Sequence, residues 1–278
     1  MSLQIWLPLT FDKNIKNQGL SWAYGTSLGT HMTTYGGKVN EWAIGVDTPG
    51  CGIAFPGIMS TLSTYSTYSI ACWVYLDKQS TGHSATIISS GNWNEAANQM
   101  CFALYNYSDG GYRCILVPNK MNWSAGIALT NPLELNTWYH IAITYDGSKT
   151  YAYVDGVQVG WLNGGGITST SNNSNANLFT ATYTDSFTLF GKIQDFRFYN
   201  HCLSIKEVKE LAKGLVCHYK LDWNIPVHNE ILNTGFNIYN NHSSNISASL
   251  AATGERYQGA PVYRLTMQAL DSTGLSKI

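Results

Sequence analysis

Three tryptophans sit among side-chain amides in segments that border strand patterns: Gly91-Asn92-Trp93-Asn94-Glu95, Asn119-Lys120-Met121-Asn122-Trp123-Ser124 and Gly160-Trp161-Leu162-Asn163. A sugar ring has an apolar face of C–H bonds and an equatorial rim of hydroxyls. An indole can stack on the face while Asn, Asp or Gln hydrogen-bonds the rim. Asn92, Trp93, Asn94, Asn122, Trp123 and Trp161 are therefore the candidate ligand-binding residues. Each tryptophan has an alternative use, covering a sheet edge or the rim of a core. Trp161 lies so close to a strand end that this is its expected use. Trp73 and Trp138 fall inside strand patterns and are expected in the core.

Other chemistry has weaker signals. Glu41, Glu95, Glu134, Glu230 and Glu255 are isolated, and Glu207 and Glu210 share one helical pattern. Asp195 is the best carboxylate on a strand, and no carboxylate stands two or four residues from it. Hydrolysis by paired carboxylates thus lacks a local signature, while a pair assembled from distant positions stays open. His140 lies among aromatic and aliphatic residues and reads as a satisfied core histidine, as does His218. The remaining histidines lack metal-ligand spacing. Cys51, Cys72, Cys101, Cys114, Cys202 and Cys217 are scattered without a Cys-x-x-Cys. If Asp109-Gly110 centres a tight hairpin, Cys114 faces Tyr105 and Cys101 faces Pro118, so these two thiols are not opposed. Buried free thiols are the expected state. Gly164-Gly165-Gly166 precedes no helix, so it reads as a flexible loop and not as a phosphate cradle.

These residues must be carried by a chain of 278 residues that is 44% hydrophobic and 13% aromatic but only 12% charged. A globular chain is usually about a quarter charged, so Ser, Thr, Asn, Gly and Tyr must wet this surface. Low charge with many aromatics opposes disorder. A net charge of -1 with no basic stripe speaks against nucleic acid as a partner. No apolar run approaches the length of a membrane span. The N-terminal run Met1-Ser2-Leu3-Gln4-Ile5-Trp6-Leu7-Pro8-Leu9 has no basic leader and is not expected to be a signal peptide.

Residues 69–160 hold short runs of period-two alternation separated by turn residues. Ile70, Cys72, Val74 and Leu76 form one face of a strand and Ala71, Trp73 and Tyr75 the other. Both faces are apolar, so the strand is expected to be central. Further strands are expected at 86–89, 101–107, 112–117, 138–145, 150–154, 157–159, 186–190 and 193–198, with Asp-Gly turns at 109–110, 146–147 and 155–156. One helix is expected after them. Ser204 is its N-cap with Glu207 three residues on, Leu203 and Val208 are the staple, and Gly214 is the stop. The fold class expected is all-β, a two-sheet antiparallel jelly-roll sandwich closed by one short capped helix over residues 1–214. Residues 215–278 read as the start of a second β-rich module, with a strand at 262–267.

The run Trp138-Tyr139-His140-Ile141-Ala142-Ile143-Thr144-Tyr145-Asp146-Gly147, followed by Tyr151-Ala152-Tyr153-Val154-Asp155-Gly156, resembles the laminin-G-like, concanavalin A-like jelly rolls. The tail Gly191-Lys192-Ile193-Gln194-Asp195-Phe196-Arg197-Phe198-Tyr199-Asn200-His201-Cys202-Leu203-Ser204 resembles that family's closing strand and capped helix. Its continuation, Lys213-Gly214-Leu215-Val216-Cys217-His218-Tyr219-Lys220-Leu221-Asp222, is similar to modules of tail and virion proteins of phages of Gram-positive bacteria. The segment from Asn229 resembles the opening of a carbohydrate-binding β-sandwich.

The resemblance covers residues 1–214 and implies a fold more firmly than a ligand. Many members hold a structural calcium ion with Asp or Asn and loop carbonyls. Asp195 matches the closing-strand motif and is the weak metal candidate, with Asp12 and Asp47 in N-terminal loops. A salt bridge or turn cap near Arg197 is the favoured use of Asp195, and no other cofactor is implied. Laminarinase-like enzymes of this fold carry Glu-x-Asp-x-x-Glu on one strand, a pattern missing here. The expectation is a non-catalytic carbohydrate- or host-receptor-binding module. It would take a glycan or cell-wall polysaccharide, on a virion or outside the cell, as a homo-oligomer or within a larger virion assembly. A structural decoration or assembly domain and a glycan hydrolase are the alternatives.

Overall fold

In the computed structural model the chain divides into two compact units, Met1–Gly214 and Leu215–Ile278. The structure describes residues 3–7, 9, 19, 25–29, 32–39, 42–90, 101–106, 111–118, 126–167, 175–181 and 184–214, together with the strands at 246–257, 260–270 and 276–277. In the first unit the strands are β1 (Leu3–Leu7), β2 (Thr26–Leu28), β3 (Met32–Tyr35), β4 (Trp42–Val46) and β5 (Gly52–Phe55). After a short helix α1 (Met59–Leu62) come β6 (Tyr68–Leu76), β7 (Ser84–Ser89), β8 (Cys101–Asn106), β9 (Tyr112–Leu116) and β10 (Ile127–Leu133). The last are β11 (Trp138–Tyr145), β12 (Lys149–Val154), β13 (Val157–Asn163), β14 (Ala176–Leu178) and β15 (Gly191–Tyr199), followed by helix α2 (Ile205–Leu211).

The described strands of this unit form two antiparallel sheets. The larger runs β13-β12-β11-β6-β15-β4-β3 with β1 on β15, and the smaller runs β10-β9-β8-β7-β14-β5-β2. Strand β6 is central, paired with β11 on one side and β15 on the other. Its residues Ile70, Cys72, Val74 and Leu76 pack inward with Ile141, Ile143 and Ile193 against Ile53, Phe55, Phe102, Leu104 and Ile115 of the smaller sheet. Each such buried side chain contributes about 1.5–3 kcal/mol relative to exposure. Alternation sends Ala71, Trp73 and Tyr75 to the outer face of the larger sheet.

Helix α2 lies on that outer face, where Leu203 and Val208 pack on Ala71, Ala142 and Tyr153. Its capping box is formed: the Ser204 Oγ accepts from the Glu207 N–H, and a Glu207 carboxylate oxygen accepts from the Ser204 N–H. Gly214, at φ +78, follows the helix end.

Several expectations are corrected. Residues 186–190 are not a strand: Asp185–Phe187 makes a 3-10 turn, because the Thr184 hydroxyl caps the Ser186 N–H and the Thr188 hydroxyl donates to the Asp185 carbonyl. Helix α1 adds a second helix. Trp138 is only half-buried and stands on the outer face, opposite Tyr75. Trp73 is buried as expected, on that same outer face and edge-on to His140. The glycine run is anchored: the Gly164 N–H donates to the Ser148 carbonyl at 2.7 Å, and the Thr150 hydroxyl donates to the Gly164 carbonyl at 2.6 Å. Tyr68 holds the Gly165 carbonyl through its hydroxyl. Gly165 has φ +119, and a Cβ there would lie 1.9 Å from the Thr150 Oγ1, so only glycine fits.

Cys51, Cys72, Cys101, Cys114 and Cys202 are free thiols. Tyr105 pairs with Cys114, the register read from the sequence, while the Asp109-Gly110 turn and Cys217 lie outside the described residues. In the second unit β16 (Ile246–Tyr257), β17 (Ala260–Leu270) and β18 (Ser276–Lys277) form an antiparallel sheet in that order. Strand β17 contains the expected run at 262–267.

Candidate functional site

Trp161 stands on β13, which ends the larger sheet. The hairpin β12–β13 turns at Asp155-Gly156, with φ +48 and +76, as a two-residue hairpin loop of this handedness requires. Val154 pairs with Val157 and Tyr153 with Gln158, but Ala152 pairs with Gly160, so Val159 is an extra residue. This bulge decides the site. In unbroken register Trp161 would oppose Thr150, which is fully buried; with the bulge it opposes Tyr151 and is 52% exposed.

Around the indole the hairpin β11–β12 supplies polar groups. The Lys149 Nζ lies 4.2 Å from the centre of the Trp161 ring. Lys149 pairs with Asn163, whose side chain is also exposed, and the Tyr151 hydroxyl donates to the Asp146 Oδ2 at 3.2 Å. The Asp146 Oδ1 accepts from the N–H groups of Ser148 and Lys149 at 2.8 and 2.6 Å, which closes the turn. Those backbone donors, Lys149 first, hold the Asp146 carboxyl below the usual carboxylate range, so it is ionised at neutral pH. The anchored glycines fix the chain beyond Asn163. The result is a half-exposed indole with the Lys149 ammonium over its ring, Tyr151 and Asn163 on the neighbouring positions, and the Asp146 carboxylate bonded to the Tyr151 hydroxyl. That set can stack on an apolar ring face and hydrogen-bond its hydroxyls.

Of the sequence candidates, Trp161 alone falls on described residues with such surroundings. Asn92, Trp93, Asn94, Asn122 and Trp123 lie outside them. Asp195 sits at a bulge in β15 with φ +53, and its Oδ1 accepts from the Arg197 Nε at 2.8 Å and the Trp6 Nε1 at 2.7 Å. Asp12 lies outside the described residues, and the Asp47 Oδ1 accepts from the Thr48 hydroxyl. No group of three or more His, Cys, Asp or Glu gathers among the described residues.

Other carboxylates also have structural partners. Glu207 serves the capping box, Glu210 pairs with Lys213, and the Asp155 Oδ1 accepts from the His140 N–H. His140 is buried edge-on against Trp73, with its Nδ1 unpaired. Burial, with the Arg197 charge second, lowers its pKa to about 3. Lys149, Tyr151 and Asp146 are not among the candidates that the sequence offers. The Asp146-Gly147 turn and the period of β12 were visible signals for them, but their meeting with Trp161 depends on the bulge.

The family model described as the Concanavalin A-like lectin/glucanases superfamily matches residues 47–209, more than half of the chain. The chain belongs to this superfamily. Among solved structures, the superfamily fold here is similar to domain 4 of an extracellular arabinanase from Geobacillus stearothermophilus, solved in complex with arabinotriose. The TM-score is 0.55 at 20% identity, over 76% of this chain and 100% of that one. It is also similar to Trypanosoma rangeli sialidase in complex with 2,3-difluorosialic acid, with a TM-score of 0.56 at 13% identity over 76% of this chain and 33% of that one. The receptor binding domain of a botulinum neurotoxin C/D mosaic serotype gives 0.55 at 13% identity, over 98% of this chain and 72% of that one. At these identities the likeness is one of fold. No curated protein matches the chain in sequence.

Proposed function

We propose that the chain is a non-catalytic carbohydrate-binding module whose glycan stacks on Trp161. The observation that carries this reading is a half-exposed indole at a sheet edge, with Lys149 over its ring, Tyr151 opposite it across the hairpin and bonded to Asp146, and Asn163 paired with Lys149. Membership of a lectin/glucanase superfamily and a fold shared with an arabinotriose-bound domain support it. The non-catalytic part is supported by the lack of a Glu-x-Asp-x-x-Glu strand pattern in the sequence and by the structural partners of Asp146, Asp155, Asp195, Glu207 and Glu210. Among the described residues no helix is long and apolar enough to cross a membrane.

Trp93 and Trp123, with their asparagines, remain proposed second contacts, and a structural calcium ion remains a proposal. The setting proposed is a virion or the cell exterior, and it rests on the resemblance of the closing segment to phage tail modules. None of the structures named above is a virion protein. Gene neighbours encoding tail or lysis proteins would support that setting.

A glycan and cell-wall array with the wild-type chain and its Trp161→Ala, Trp93→Ala and Trp123→Ala variants tests the reading. Binding to no glycan would overturn it, and release of reducing sugar would restore the hydrolase. A second reading has its own observation: Val157, Trp161 and Ile205 are the exposed large apolar side chains of the described residues, and β13 is a sheet-edge strand. If this edge docks on a neighbouring subunit, sedimentation will show an oligomer that Trp161→Ala dissociates.

A further inference from the structure

A second aromatic patch lies on the outer face of the larger sheet, near the end of α2. Trp138, Tyr75 and Lys192 are direct cross-strand partners on β11, β6 and β15. Their side chains share one face in a row roughly 10 Å wide. The rings of Tyr75 and Trp138 lie 5.4 Å apart at 52°, and the Lys192 Nζ is 4.6 Å from the Tyr75 ring centre. Lys38 adds a second ammonium, 5.2 Å from the ring centre of Trp73.

The segment that brings Lys38 there is held firmly. The Gln194 side chain, fully buried, accepts from the N–H groups of Lys38 and Val39 and donates to the Trp42 carbonyl, each at 2.7 Å. The Trp138 Nε1 donates to the Gly36 carbonyl at 3.3 Å, which ties the ring to the same segment. Gly36 lies beside the Lys192 ammonium, which a Cβ there would approach to 4.0 Å. Among the described residues neither lysine has a carboxylate within ion-pair distance. Two ammonium groups with no carboxylate partner among the described residues, beside two half-buried rings, are complementary to a ring that carries its own negative charge.

We propose that this shelf binds a carboxylate-bearing sugar, the ring over Tyr75 and Trp138 and the carboxylate toward Lys192 and Lys38. The proposal builds on the carbohydrate-binding reading but concerns a different part of the surface. It makes the module selective for acidic glycans, with Trp161 contacting a neutral ring. Both partners of the ion pair stay near water, so the preference is modest and weakens with salt.

The test uses the full chain, with tryptophan indole N–H resonances assigned through Trp138→Phe and Trp161→Phe. It is titrated with methyl β-glucuronide, methyl β-glucoside and acetate. The glucuronide is expected to shift the Trp138 indole and to bind about twofold to fivefold more tightly than the glucoside at low salt, the range of an exposed ion pair. Lys192→Gln with Lys38→Gln is expected to remove that difference without altering the unfolding midpoint. A glucoside that matches the glucuronide at Trp138, or acetate that reproduces the glucuronide shift, overturns the acidic-sugar shelf and leaves the Trp161 reading intact. If neither sugar moves the Trp138 indole, the shelf fails, while the Trp161 reading stands or falls on the glycan array.

Discussion

Trp161 stands on an edge strand with a neighbour on one side, whereas Tyr75 and Trp138 stand on strands with neighbours on both. The edge patch is shaped by local devices: a bulge at Val159, an Asp146 turn and an anchored glycine run. The shelf is shaped by a long-range one, since Gln194 reaches across the sheet to hold residues 38 and 39. Similar residue types therefore give two surfaces with different weaknesses. The edge patch depends on hairpin register, and the shelf depends on a buried hydrogen-bond clamp. Each can be damaged while the other is left in place.

Acid is expected to have the largest effect, and it acts beside the shelf. The unfolded chain protonates His140 near its ordinary value of 6.5, while the folded chain resists to about 3. Its contribution is thus fully present above about pH 6.5 and is lost as the pH falls toward 3, on the order of 5 kcal/mol in all. Urea unfolding of wild type and His140→Gln across that window measures it, and parallel pH profiles for the two would refute it.

Next comes Gln194→Leu, which strands two backbone N–H groups and a carbonyl. A loss of about 3 kcal/mol is expected, with the Trp138 indole resonance displaced and the Trp161 resonance unmoved. Gly165→Ala should do the reverse, at about 2 kcal/mol, because it forces an alanine to positive φ against Thr150. If both variants disturb both indoles, the two patches are one cooperative unit. Ser204→Ala, which removes the α2 cap on the outer face of the larger sheet, should cost about 1 kcal/mol and spare both.

Much of this was readable from sequence, and unevenly so. Strand β6 announces itself because both of its alternating faces are apolar, and α2 because a capping box is a local chemical signature. Strands β2 and β3 do not, since Thr26-Ser27-Leu28 and Met32-Thr33-Thr34-Tyr35 carry little apolar alternation and are fixed by distant partners. Strand β10 hides behind Pro132, which an edge strand tolerates. The aromatic platform chemistry was legible at Trp161, but its outward direction was not. One bulge residue inverts the face of everything beyond it, and nothing in Val157-Gln158-Val159-Gly160 marks which residue is the extra one. Trp138 misled in a similar way: a strand of apolar residues reads as core on both faces, and only the position of α2 shows which end of the outer face stays open.

The most direct test of the central claim is the affinity of Trp161→Ala for whichever glycan the wild-type chain binds on the array, measured beside its unfolding midpoint. A loss of at least about tenfold, or roughly 1.4 kcal/mol, with an unchanged midpoint is the expected result, because an exposed ring carries binding and little stability. Wild-type affinity in this variant would contradict the account and move the site away from the edge of the larger sheet.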